Sequence, residues 1–214
     1  MFKEGRLEFM IRWHGYRRWK RRSTKLAEYK FYKLMDVTPP GIFVDLGANF
    51  GTVSGKALDF GHKVYAFEPD PHALSRLRKR IGNNPNATII PKAVGNSSRT
   101  AKFFRRPDAD AGDFSQISSL MKLDVHDHEV EVEVVDIVEF LRGLPEPPAV
   151  VKMDIEGGEA ECLEAILDAG LHTSIGHILV ETHERFSTDI AARIDRVRDR
   201  IEREKISNID LNWI

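Results

Sequence analysis

The chain has 214 residues, 42% of them hydrophobic, which suits one α/β domain with a substantial buried core. No apolar run approaches the roughly 18 residues of a membrane span, the N-terminus lacks the apolar core of a signal peptide, and a cytoplasmic location is expected. The net charge of -1 conceals a split: residues 1–33 carry eleven Lys or Arg against three Glu, a net of +8, and the remainder carries -9.

Residues 1–40 read as a basic, mainly helical element. Its stretch "IRWHGYRRWKRR" interleaves Trp13, Tyr16 and Trp19 with arginines and Lys20. That mixture suits an anionic membrane surface, nucleic acid or an acidic substrate, and equally a solvated helix that packs its tryptophans on the domain. Nucleic acid is not an expected partner, and peripheral membrane contact stays open.

From Gly41 to Ile214 short β-branched runs alternate with helical segments, the pattern of parallel βαβ units. Strands are predicted at 42–46, 63–67, 87–91, 149–154 and 176–182, and helices at 51–60, 71–82, 157–169 and 187–204. Pro71 opens the second helix where its missing N–H costs nothing, and Gly170 stops the third. The expected fold is a mostly parallel central sheet with helices on both faces. Between the third and fourth of these strands, "TAKFFR" and "EVEVEVV" read as a strand pair separated by a polar surface stretch, 107–119. "ISNIDLNWI" offers one more strand, so the last strands of the sheet are in doubt and a second copy of the chain could complete it. Cys162, the single cysteine, reads as a small core thiol.

"VDLGANFGT" places Asp45 at the end of a buried strand, then Gly47, Ala48, Asn49 and Gly51 in a tight turn leading into a helix. Gly47 lets backbone come close to a ligand, Gly51 permits close helix packing, and the N–H groups at the helix start can hold a carboxylate or phosphate. Twenty-three residues beyond Asp45, "VYAFEPD" ends the next strand with Glu68 and Pro69, where an acid can accept hydrogen bonds from both ribose hydroxyls of a nucleoside.

Together "VDLGANFG", "VYAFEPD", "KAVGN", "VEVVDIVEFL" and "VKMDIEGGE", in this order, resemble the FkbM family of S-adenosylmethionine-dependent methyltransferases over about residues 41–184. The resemblance implies a Rossmann-like class I methyltransferase fold and O-methylation of a hydroxyl on a sugar or natural-product acceptor. It also implies that Asp45, Gly47, Asn49 and Gly51 line the methionine part and Glu68 the ribose. Ala93 and Val94 would lie beside the adenine, although core packing explains Val94 equally well. Ser118 and Ser119 fall where the family tends to carry small hydroxyl residues, which a solvated loop also explains.

Methyl transfer to an alcohol needs an aligned hydroxyl and a group to take its proton. Candidates gather at the carboxyl ends of the fourth and fifth strands, where ligands bind in open α/β sheets: Asp154, Glu156, Glu181 and His183. Asp154 could also touch the cofactor. Glu159 reads as a site acid or as a charge favoured by its helix start. Lys152, on the face of Asp154, is expected to pair with Asp154, Asp136 or another nearby acid. A divalent cation held by several carboxylates is an alternative way to activate the hydroxyl, but none is predicted, and His126 and His128 read as a solvated loop. The acceptor would be chosen by residues 107–128 and the N-terminal element.

Two other classes compete. A nicotinamide-dependent oxidoreductase shares the acid-ended strands, but its G-x-G-x-x-G loop does not fit three residues between Gly47 and Gly51. A non-catalytic module docking through the basic N-terminus would tolerate loss of the strand-end acids, which are intact.

Overall fold

The computed structural model describes residues 25–105, 119–120 and 128–213. The aromatic and basic stretch around Trp13, Tyr16 and Trp19, the loop residues up to Ser118, and His126 lie outside the described residues. Backbone contacts group Pro40–Trp213 into one unit and Met1–Pro39 with Ile214 into another. In the latter, residues 25–37 are helical (α1), with Ala27, Phe31 and Met35 buried at a spacing of four and Leu26, Tyr29, Tyr32 and Val37 exposed.

The larger unit runs β1 (Ile42–Leu46), α2 (Thr52–Asp59), β2 (Lys63–Phe67), α3 (Pro71–Ile81) and β3 (Ala87–Ile90). It continues with β4 (Ala93–Gly95), β5 (Arg99–Arg105), β6 (His128–Asp136) and α4 (Ile137–Arg142). β7 (Val150–Met153), α5 (Glu159–Asp168), β8 (His177–Val180), α6 (Thr188–Glu204) and β9 (Ile209–Asp210) follow.

The main sheet has the order β3-β2-β1-β7-β8-β9, and every pair in it is parallel. Strands β1 and β7 are buried along their whole length, as central parallel strands covered on both faces are, and Asp45 and Lys152 are the charged residues within them. Helix α2 packs on α3, and α5 packs on α4 and α6. The core gathers Ile42, Val44, Leu46, Val151, Met153 and Ile178 from the strands with Leu163 and Ile166 from α5. Each such side chain contributes about 1.5–3 kcal/mol by leaving water. Order reverses at β1: the chain steps outward to β3, then returns at β7 on the other side of β1. The carboxyl ends of β1 and β7 are therefore the switch point, where a crevice opens.

A smaller sheet, β4-β6-β5, lies between the two halves in sequence, with β4 parallel and β5 antiparallel to β6. The helices are capped by their own neighbours. Asp70 accepts from His72 and Ala73 N–H at the start of α3, Asp136 from Val138 and Glu139 at α4, and Ser187 from Ile190 at α6.

Several expectations are corrected. His128 is not in a loop but opens β6, paired with Arg105. Asp136 caps α4 and is no partner for Lys152. β4 and α4 are additional elements. Asp154 falls just past β7, because the strand stops at Met153. The tail forms a two-residue strand, β9, hydrogen-bonded to β8, so the chain itself supplies a sixth strand. Among the described residues no helix is long and apolar enough to cross a membrane.

Candidate active site

The glycine loop leaves β1 and folds under its own constraints. Gly47 has φ +79°, and a Cβ there would stand 1.8 Å from the carbonyl oxygen of Asp154, so the residue must be glycine for the loop to lie against the turn after β7. Gly51, at φ +75°, caps α2, and a Cβ on it would come 2.6 Å from Leu77 of α3, which accounts for close helix packing. Between them the N–H groups of Gly47 and Ala48 both donate to Phe67 O, and Asn49 N–H donates to Glu68 Oε2 at 2.8 Å.

Glu68 follows the last residue of β2 with only 6% of its surface exposed. Its Oε1 accepts from Asp70 N–H at 2.8 Å. Burial pushes its carboxyl up to about 8, against the pull of the two N–H groups and Lys152 and with the help of the Asp70 charge. Pro69 follows half-buried, and Asp70 is anchored by Arg105 of β5, whose Nε lies 2.7 Å from Asp70 Oδ2.

Asp45 lies near the end of β1. It has no exposed surface, because β1 is central and its side chain turns beneath the loop: Ser54 Oγ of α2 donates to Oδ2 at 2.6 Å, and Lys152 Nζ sits 3.1 Å from Oδ1. Asp45 therefore supports the loop that follows it. Lys152, 3% exposed on β7, also donates to Gly47 O at 2.8 Å and lies 3.5 Å from Asp154 Oδ2. Burial opposes its charge, but Asp45 and Asp154 more than compensate and raise its pKa. One ammonium thus ties the loop after β1 to the turn after β7.

Ala93 and Val94 lie in β4, paired with Val134 and Val135 of β6, and Val94 joins the core. Ser119 is buried, and its hydroxyl donates to Glu156 O at 2.6 Å.

The turn after β7 and the end of β8 bring all four candidate acceptor-side residues together. His183 Nε2 lies 3.1 Å from Glu156 Oε2, 3.8 Å from Asp154 Oδ1 and 3.9 Å from Glu181 Oε1. His183 is fully buried, whereas the three acids are partly exposed. The sequence leaves Glu159 open between a site acid and a helix-start charge. The structure buries Glu159 completely in the first turn of α5, where its carboxylate accepts from Ile155 and Gly157 N–H and meets His183 Nδ1 at 2.9 Å. Nothing in a separation of 24 residues announces that contact. Burial opposes a charge on His183, but Glu156 and Glu159 outweigh it and push it up to about 10. Burial raises Glu156, and burial with the Asp154 charge raises Glu181 to about 7.

A parallel sheet whose switch point holds a glycine loop, a buried acid at the next strand end and an acidic turn defines a Rossmann-like ligand-binding enzyme domain. The chain belongs to the methyltransferase FkbM domain family, which matches residues 45–205. It is 30% identical over 144 residues to the hexuronic acid methyltransferase AglP of Haloferax volcanii, a match covering 65% of this chain and 54% of the relative, so the chain spans about half of that relative's length. Among solved structures, a precorrin-6y C5,15-methyltransferase from Geobacter metallireducens aligns with a TM-score of 0.44 and 13% identity over 79% of this chain and 68% of the other.

Proposed function

We propose that the chain binds S-adenosylmethionine and transfers its methyl group to a hydroxyl of a saccharide acceptor. The observation that carries the reading is Glu68. Each of its carboxylate oxygens accepts one backbone N–H and keeps a lone pair, as a vicinal pair of ribose hydroxyls requires. A second fit is the start of α2, which has no side-chain cap, so its first N–H groups can hold a carboxylate.

When bound, S-adenosylmethionine supplies a methyl group made electrophilic by its sulfonium. Glu68 orients the nucleoside end, and α2 the amino-acid end. Lys152, held between Asp45 and Asp154, fixes the glycine loop at its distance from the acidic turn. Asp154, Glu156 and Glu181 present carboxylate oxygens that orient an acceptor hydroxyl and receive its proton. AglP's named action on a hexuronic acid, together with membership of the family, supports a sugar-like acceptor.

Calorimetry with S-adenosylhomocysteine and with a nicotinamide dinucleotide separates the two cofactor classes. We expect saturable binding of the first alone, and methyl transfer to members of a saccharide panel that Asp154→Asn abolishes without loss of cofactor binding. Absence of S-adenosylhomocysteine binding sinks the reading.

A further inference from the structure

The acidic turn contains more than a hydroxyl needs for alignment. We propose that Asp154, Glu156 and His183 form a binding site for one divalent cation of the manganese type, with Glu159 orienting His183. The site itself stands on geometry; its use in catalysis rests on the methyltransferase reading.

One donor atom from each of the three residues lies within 4.8 Å of the others. His183 Nε2 is 3.1 Å from Glu156 Oε2 and 3.8 Å from Asp154 Oδ1. Around a cation with bonds of about 2.1 Å, neighbouring ligands stand about 3.0 Å apart and opposed ones about 4.2 Å, so these separations need only small side-chain adjustments.

The independent observation is the imidazole. His183 is wholly buried, yet Nε2 has no hydrogen bond of acceptable geometry, and neither does Glu156 Oε2 beside it. A buried polar atom left in this way is costly unless something else occupies the position. The other ring nitrogen explains the direction of the free one. Glu159 Oε1 already accepts from Ile155 N–H, so it is an acceptor toward His183 as well, and Nδ1 is the donor. Nε2 then faces the two carboxylates, and a cation bound there would take the place of the proton that Nε2 carries in the empty site. A histidine whose far nitrogen donates to a carboxylate is the usual second layer of a metal site.

The backbone agrees. Glu156 holds φ +57°, a left-handed conformation that is unfavourable for a non-glycine residue, and its carbonyl is pinned by Ser119. Electrostatics agree too: Asp154, Glu156, Glu159 and Glu181 crowd one imidazole, while the nearby cation, Lys152, is shared with Asp45. Two carboxylates and one imidazole are too nitrogen-poor for a structural zinc site, and the imidazole disfavours calcium; manganese, or magnesium more weakly, fits. Three protein ligands leave positions open for acceptor oxygens. The cation would draw a uronate or vicinal-hydroxyl acceptor into a pocket whose carboxylates would otherwise repel an anion, and it would acidify the hydroxyl being methylated.

The test is Mn2+ calorimetry and Mn2+ electron paramagnetic resonance on the full chain after chelator treatment. We expect one Mn2+ per chain, loss of the site in His183→Ala and in the nearly isosteric Asp154→Asn and Glu156→Gln, and weakening of about 10-fold or more in Glu159→Gln. Far-ultraviolet circular dichroism and thermal melting serve as the folding control for every variant. Mn2+ binding without S-adenosylhomocysteine binding keeps the cation site and removes the cofactor reading. S-adenosylhomocysteine binding with no saturable Mn2+ site overturns the cation proposal, as does Mn2+ binding unchanged in variants that keep their fold.

Discussion

Two acid-centred regions meet at the switch point, and they are finished to different degrees. Around Asp45, Glu68 and Lys152 the charged groups are buried and nearly balanced: a hydroxyl, an ammonium and two backbone N–H groups face two carboxylates, with Asp45 Oδ1 held by the Lys152 ion pair alone. Around Asp154, Glu156, Glu181 and His183 carboxylates outnumber donors, and two buried atoms lack a hydrogen bond. The first region is a preformed cradle. The second has the excess charge and unmet valence of a site whose remaining partner comes from outside the chain.

The largest expected effect removes the boundary between them. Gly47→Ala places a methyl group inside the Asp154 carbonyl and at positive φ, and should cost more than about 4 kcal/mol in chemical denaturation, if the variant folds. Lys152→Met comes next: it leaves Asp45 buried without its cation, a loss of about 3–5 kcal/mol by urea midpoint, and should damage both regions together. Glu68→Ala should break the cradle alone. Two hydrogen bonds to the ribose are lost, so S-adenosylhomocysteine affinity should fall about 100-fold by calorimetry while Mn2+ affinity holds.

A separate test is a pH slope. Glu68 keeps its proton in the folded chain up to about 8, well beyond the range in which an unfolded glutamate loses it. Over that interval the folded state binds the extra proton, so its contribution to stability falls as pH rises and levels off above about 8. Glu68→Gln removes that contribution. The stability of the variant relative to the original chain should therefore rise between pH 5 and pH 8 in thermal melts of the ligand-free protein. A flat difference would place the buried proton elsewhere.

The strands of the main sheet were legible because parallel strands buried on both faces leave plain apolar runs, and "VDLGANFGT" shows its turn through its glycines. β4 was not: three residues between Lys92 and Asn96 carry no period. α4 hid because "VVDIVEFL" continues the apolar run of β6, although Asp136 was a readable cap. In the site, spacing could bring Asp154, Glu156, Glu181 and His183 to one edge of the sheet. It could not say that Asp45 turns inward, since a strand-end acid reads the same whether it faces a ligand or a buried lysine. Nor could it join Glu159 to His183, a contact made by the start of one helix and the end of a strand that is sequentially remote.

The Arg105–Asp70 pair has a practical side for anyone redesigning the acceptor. Arg105 is the last residue of β5, immediately before the segment expected to choose the substrate, and the carboxylate it grips belongs to the residue whose own N–H steadies Glu68. A loop grafted between β5 and β6 is thus spliced beside a strut of the nucleoside cradle. A chimera that exchanges residues 106–127 but keeps Arg105 should inherit a new substrate preference, whereas one cut a residue earlier would trade cofactor affinity along with it.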